Sequence, residues 1–257
     1  MTQNLFDLTG KVALITGGSR GLGREMALAF ADQGAHVAVA SRKIEQCEKT
    51  AAEIAERGVQ SFAHACHVAK WAEIETLVEA TYARFGRVDI LVNNAGLSPL
   101  YTSLDEISEE LFDKVIGINL KGPFRLSALI AKRMMAAGGG SIINISSTAA
   151  VTPSPASEPY CSAKAGINAL TRSMASAYGP TVRVNCIMPG PFLTDISKAW
   201  DMDAFQAGAK TGIPLQRGGQ PREIVGAALY LASDASSFTT GALIAVDGGS
   251  QGNPRIL

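Results

Sequence analysis

Apolar residues in this chain gather into short runs rich in Val and Ile, separated by longer stretches in which apolar positions recur at helical spacing. The runs at Val12–Thr16, 37–40, 90–92, 141–145, 182–187 and 242–246 are mostly apolar rather than strictly alternating, which predicts strands covered on both faces. Helical periodicity occupies 21–33, 44–57, 72–85, 109–137, Glu158–Tyr178 and 222–231. Strands separated by helices require right-handed crossovers, so the pattern predicts an α/β fold: a doubly wound parallel sheet with helices on both faces. One segment, 191–219, breaks the periodicity with Pro, Gly and Trp200 and reads as a long irregular lid over a binding site.

With 257 residues, 47% of them hydrophobic, the chain is long enough to bury one sizeable core, and residues 1–257 are expected to form a single domain. Lys plus Arg and Asp plus Glu balance at 23 each, so no global field draws nucleic acid or an anionic membrane, and a small molecule is the expected partner. The residues 1–9 carry no basic stretch leading into an apolar run, and no run of about 18 apolar residues exists, so neither a signal peptide nor a membrane span is expected. The 4 cysteines, Cys47, Cys66, Cys161 and Cys186, lack CxxC spacing, which favours reduced thiols, a cytoplasmic setting and no metal site.

Candidate chemistry begins directly after the first strand run, where Thr16-Gly17-Gly18-Ser19-Arg20-Gly21-Leu22-Gly23 leads into a helical pattern. Glycines there permit a sharp turn and bring bare backbone close to a ligand, and the N–H groups opening the helix attract a pyrophosphate. Gly17, Ser19, Arg20, Gly21 and Leu22 are therefore candidate contacts to a dinucleotide in a Rossmann-like crevice. The second strand run ends Ala40-Ser41-Arg42-Lys43, with no acid to take a ribose 2′-hydroxyl. Ser41, Arg42 and the loop's Arg20 suit a 2′-phosphate instead, so NADP(H) is expected in preference to NAD(H); the bland alternative is that Arg42 and Lys43 only solvate the next helix.

Further along, Tyr160 and Lys164 stand four apart, so a helix puts a phenol and an ammonium on one face. A cation held close favours the phenolate and is expected to lower the phenol's pKa, making it a usable acid. Together with the TGxxxGxG turn, Asn93-Asn94-Ala95-Gly96, Asn119 and Ser146-Ser147, in this order, the chain resembles the classical short-chain dehydrogenase/reductase family from Lys11 to Gly249. The resemblance implies a catalytic tetrad of Asn119, Ser147, Tyr160 and Lys164, with Ser147 chosen over Ser146 because it precedes Tyr160 by 13 positions. It also implies that Tyr160 exchanges the proton, that Lys164 binds the nicotinamide ribose as well, and that Asn119 supports a water chain.

By the same resemblance, Asn93 lies near the cofactor ribose, and Pro189 and Thr194, within Pro189-Gly190-Pro191-Phe192-Leu193-Thr194, touch the nicotinamide, with Ile187 either a ring contact or core. The family's Asp-Val near the adenine is replaced by His67-Val68, so adenine recognition falls to the Val68 backbone and His67, unless His67 is merely a surface residue. Specificity is expected from Leu97, Ser98 and Leu100, from 149–158, and from the lid with Phe192, Trp200, Met202 and Phe205. The resemblance implies a homotetramer and an NADP-dependent oxidoreductase acting on a carbonyl or secondary alcohol. A 3-oxoacyl-thioester reductase of fatty-acid type, a polyol or steroid dehydrogenase, and a non-catalytic dinucleotide sensor remain alternatives.

Overall fold

The computed structural model describes residues 4–252 apart from 196, 198 and 199. Its centre is a parallel sheet of β1 (Val12–Thr16), β2 (His36–Ser41), β3 (Ser61–Ala65), β4 (Ile90–Asn93), β5 (Gly140–Ile145), β6 (Val182–Pro189) and β7 (Leu243–Val246), in the spatial order β3-β2-β1-β4-β5-β6-β7. The helices are α1 (Gly21–Asp32), α2 (Ile44–Ala55), α3 (Trp71–Phe85), α4 (Glu109–Ile116), α5 (Gly122–Ala136), α6 (Glu158–Tyr178), α7 (Met202–Gly212) and α8 (Val225–Ala232). The chain winds outward from β1 in one direction and from β4 in the other. The strand order thus reverses between β1 and β4, and the crevice beyond their carboxyl ends is where open α/β sheets bind ligands.

Successive side chains of a strand point to opposite faces, and here both faces are covered. Ile15, Val39, Val92 and Ile143 pack with Met26 and Phe30 of α1 and Leu231 of α8. Leu14, Ala38, Leu91 and Ile142 pack with Leu77 of α3 and Ile130 and Met134 of α5. Burial on two sides is why the inner strands read as mostly apolar runs. Among the described residues no helix is long and apolar enough to cross a membrane.

Three features depart from the sequence expectation. A further strand, β3, lies at the sheet edge; its SFAHA sequence is half-exposed and mixes polar with apolar residues, so it lacks the apolar run that marks the inner strands. The helix expected over 109–137 is interrupted by a π turn, Gly117–Lys121, between α4 and α5. Pro123 has no N–H for the Asn119 carbonyl four residues earlier, the Gly122 N–H reaches back five residues to Gly117, and the Asn119 side chain takes the Val115 carbonyl at 3.0 Å. Finally, the lid at 191–219 is not irregular throughout. It contains α7, whose first amides at Asp203 and Ala204 are capped by the Asp201 carboxylate. Its two ends are joined by a parallel bridge between Phe192 and Gly219, with Leu193 N donating to Gly219 O at 2.8 Å.

Candidate active site

The turn after β1 is built without room for side chains. Gly17 has φ +65, and a Cβ there would stand 2.8 Å from Asn94 Nδ2; one on Gly23 would stand 2.3 Å from the Gly17 carbonyl oxygen. Asn94 fastens this turn to β4, donating through Nδ2 to Thr16 O at 3.0 Å and Gly17 O at 3.1 Å, while Thr16 Oγ1 accepts from the Asn94 and Ala95 amides. Arg20 is the extended N-cap of α1 with no side-chain cap bond, and the first turn of α1 carries no acidic residue. A glycine cradle leading into an uncapped 12-residue helix at the point of strand reversal fits a dinucleotide pyrophosphate. Gly21, at φ +53, faces Thr194, whose Cβ would lie 3.7 Å from a Cβ at position 21, so the lid's first turn overhangs the cradle.

Beside it, Ser19 Oγ donates to Ser41 Oγ at 3.0 Å, tying the loop to the end of β2. Arg42 and Lys43 follow, both exposed and neither in an ion pair among the described residues. The Arg20 guanidinium is exposed and 3.8 Å from Asp195 of the lid. A cleft of about 280 Å³ opens next to them, lined in part by Ser19, Arg20, Arg24, Lys49 and Thr50. Leu22 is half-buried at the head of α1.

Across the crevice, the side chains of Asn119, Ser147, Tyr160 and Lys164 converge. Ser147 stands two residues past β5, accepts the Ala149 N–H at 3.1 Å, and lies beside the Tyr160 phenol, whose acidity its hydroxyl influences. Lys164, one turn after Tyr160 on α6, is buried; its Nζ donates to Ile145 O at 2.8 Å and lies 5.6 Å from the Tyr160 ring centre. Asn119 sits in the π turn with no exposed surface, donating to Leu97 O at 2.7 Å and accepting from Leu97 N at 3.2 Å. A Cβ on Gly96 would be 3.2 Å from Asn119 Oδ1 and 3.7 Å from Lys164 Nζ, so this glycine leaves the floor between them open. A π turn carrying such a residue is a common device at functional sites.

The electrostatics differ from the sequence expectation. Burial pushes the Tyr160 phenol above its ordinary value, and the nearby Ser147 hydroxyl opposes that shift. Burial also lowers Lys164 to about 8. The main influence on the phenol is loss of water rather than the neighbouring ammonium, so at neutral pH Tyr160 is a proton-bearing donor.

Asn93 is placed differently from its neighbour. Its Nδ2 donates to Ser127 Oγ and Asn144 Oδ1, both at 2.8 Å, so the buried side chain braces β4 against β5 and α5. His67 is half-buried; its Nδ1 accepts the Ala69 N–H at 3.3 Å, which puts the ring proton on Nε2, and its own N–H donates to Glu73. Val68 is buried next to it. Pro189 closes β6, Ile187 is fully buried in the core, and Thr194 stands in the turn that opens the lid. Tyr101 has no place in the sequence expectation, and Glu158 only as the end of the 149–158 specificity segment: the Tyr101 hydroxyl donates to the Glu158 carboxylate and accepts the Glu158 N–H at 2.8 Å. No local spacing reveals a pair 57 positions apart.

Residues 17–251 match the family model described as enoyl-(acyl carrier protein) reductase. D-threitol dehydrogenase of Mycolicibacterium smegmatis is 40% identical over 247 residues, covering 95% of this chain and 94% of the relative. Among solved structures, a gluconate 5-dehydrogenase from Burkholderia cenocepacia, in complex with NADP and tartrate, superposes with a TM-score of 0.91 at 34% identity, covering 97% of this chain and 98% of the other. A 7α-hydroxysteroid dehydrogenase complexed with NADH and 7-oxo glycochenodeoxycholic acid does so with a TM-score of 0.91 at 36% identity, covering 95% and 96%. With its glycine cradle at the strand reversal and its YxxxK helix across the crevice, the chain belongs to the short-chain dehydrogenase/reductase family of oxidoreductases.

Proposed function

We propose that the chain is an NADP(H)-dependent oxidoreductase interconverting a small carbonyl compound and its secondary alcohol. The observation that carries this reading is the Ser147 hydroxyl beside a proton-bearing Tyr160 phenol, with Lys164 one helical turn away, its Nζ 5.6 Å from the phenol ring centre. When bound, the nicotinamide supplies or accepts the hydride, and the protein supplies position and proton. Ser147 and Tyr160 direct two hydroxyls at the substrate oxygen. Tyr160 donates its proton to that oxygen in reduction and recovers it in oxidation. Lys164, held by Ile145 O, adds positive charge beneath the phenol as it gives up its proton, and Asn119 anchors Leu97 and the floor of the cleft.

Preference for the 2′-phosphate rests on the absence of a carboxylate at the end of β2 and on the exposed Arg42 beside Ser41, with Arg20 as a second guanidinium. Thr194 and Pro189 on the nicotinamide side, and Val68 and His67 Nε2 on the adenine side, complete the proposed cofactor contacts. The related structures hold NADP in one case and NADH in the other, so direct comparison of the two nucleotides is the test of this part.

A second reading, reduction of a 3-oxoacyl thioester, shares only the acyl-thioester substrate class with the description of the matching family model, which names reduction of an enoyl double bond. The experiment is a panel of butanone, cyclohexanone, acetoacetyl-CoA and D-threitol with NADP(H) and NAD(H), followed at the nicotinamide absorbance. Turnover of the ketones or the polyol with NADP(H) supports the first reading and exclusive turnover of the thioester the second. Nucleotide binding without any turnover supports a non-catalytic sensor.

We further infer a homotetramer, in a cytoplasmic setting consistent with four free, buried cysteines. The apolar groove of about 510 Å³ on α5 and α6, lined by Leu120, Phe124, Ala169 and Leu170, is the first contact, and the fully exposed Phe238 near β7 marks the second. Sedimentation of the native chain beside Phe124→Glu tests the first contact: the variant is expected to sediment as a smaller species.

A further inference from the structure

Residues 97–101 are fastened to the site at both ends. At Leu97 the backbone N–H and carbonyl are both bound by the Asn119 side chain. Four residues on, the Tyr101 hydroxyl donates to the Glu158 carboxylate and accepts the Glu158 main-chain N–H at 2.8 Å. Glu158 is the first residue of α6, two before Tyr160. The same carboxylate accepts the Ala156 N–H at 3.3 Å, and Ala156 stands at φ +63, a left-handed conformation that a non-glycine residue holds only where its surroundings impose it. Next to it, Ser157 Oγ donates to Ser154 O at 2.7 Å. Between the two fastenings, Leu100 is left 76% exposed. One carboxylate therefore joins the loop after β4, the loop after β5 and the helix bearing the phenol.

We propose that Tyr101 and Glu158 form a positioning strut that fixes these two loops over the substrate mouth and thereby determines which carbonyl compounds reach Tyr160. The inference rests on the reaction proposed above and names a specificity device for that same site. Tyr101 and Glu158 are positioning residues: they act through the backbone of 97–101 and 154–158, not on the reacting atoms. A phenol bonded in both directions to one residue gives a single geometry, whereas irregular loops exposed to this degree otherwise sample many. Glu158 also opens α6, where a carboxylate is favoured by the helix dipole, so the strut adds no electrostatic conflict to the helix that carries Tyr160.

The test compares the native chain with Tyr101→Phe, Glu158→Gln and the double variant, all saturated with NADPH. Deuterium exchange is read over 97–105 and 151–158, and kcat and KM are measured for butanone, cyclohexanone and 2-octanone. The strut predicts that each single variant loosens both segments together and that the double variant loosens them no further. It predicts that KM for the ketone preferred by the native chain rises about tenfold while kcat changes less than about threefold, and that discrimination among the three ketones narrows. Exchange unchanged in both single variants, or looser loops with KM and discrimination unchanged, would overturn it. Tyr101→Phe keeps the ring and its packing, so it remains informative if Glu158→Gln misfolds. Should the native chain bind NADPH but reduce none of the three ketones, the proposed reaction is judged on the wider panel above, and the exchange data alone decide the strut.

Discussion

Lys164 Nζ donates to the Ile145 carbonyl at 2.8 Å, so the ammonium of α6 is seated against the last residue of β5, directly before the Ser146-Ser147 turn. Burial lowers its pKa from the ordinary 10.5 to about 8. A lysine whose folded pKa is depressed costs stability. Below about pH 8 folding must bury the cation; between 8 and 10.5 it must release a proton, and the cost shrinks as pH rises through that window. Lys164→Met is therefore expected to be more stable than the native chain at pH 7, by about 1 to 3 kcal/mol after loss of the Ile145 hydrogen bond. The gain should fade towards pH 10, and turnover should be lost. Thermal melts of both proteins across that pH range check it.

The nucleotide preference turns on Arg42. If its guanidinium meets a 2′-phosphate, Arg42→Asp removes a charge-assisted hydrogen bond and adds repulsion. NADPH affinity should then fall about 10- to 100-fold while NADH affinity is held or improved. Fluorescence titration of both nucleotides measures this, and a native preference for NADH would defeat the assignment.

The glycine cradle gives a contrast between two alanine substitutions. At Gly23 the added methyl meets the Gly17 carbonyl oxygen at 2.3 Å and Asn94 Nδ2 at 2.4 Å, so Gly23→Ala must distort the turn. Nucleotide affinity is expected to drop at least about tenfold, with stability lowered by more than about 1 kcal/mol. Gly208, inside α7 with nothing within 4 Å of its Cβ position, has space for the methyl, and Gly208→Ala should stabilise by up to about 1 kcal/mol. Calorimetry together with nucleotide titration separates the two cases.

How far the sequence could be read follows from burial. The inner strands announce themselves because two layers of helices cover them, as with Leu14 facing one layer and Ile15 the other. β3, half-exposed at the edge, has no such signature. The glycine turn and the Tyr160–Lys164 spacing are local, and a pattern along the chain reveals them. The π turn at Asn119 depends on a side chain taking the Val115 carbonyl, and the Tyr101–Glu158 strut on two segments meeting in space. Asn93 and Asn94 are adjacent in sequence yet turn to opposite tasks, one bracing β5 and α5, the other holding the glycine turn. The phenol's pKa departs from the sequence expectation because spacing shows a nearby charge but not the loss of water around it.

The account stands on the Tyr160 hydroxyl as the proton donor, and Tyr160→Phe removes that hydroxyl while leaving the ring that Lys164 underlies. The direct measurement is NADPH affinity by titration together with ketone turnover by nicotinamide absorbance, on this variant and the native chain. The expected result is affinity within about threefold of native and turnover reduced by about 10²- to 10⁴-fold. Undiminished turnover in Tyr160→Phe would contradict it.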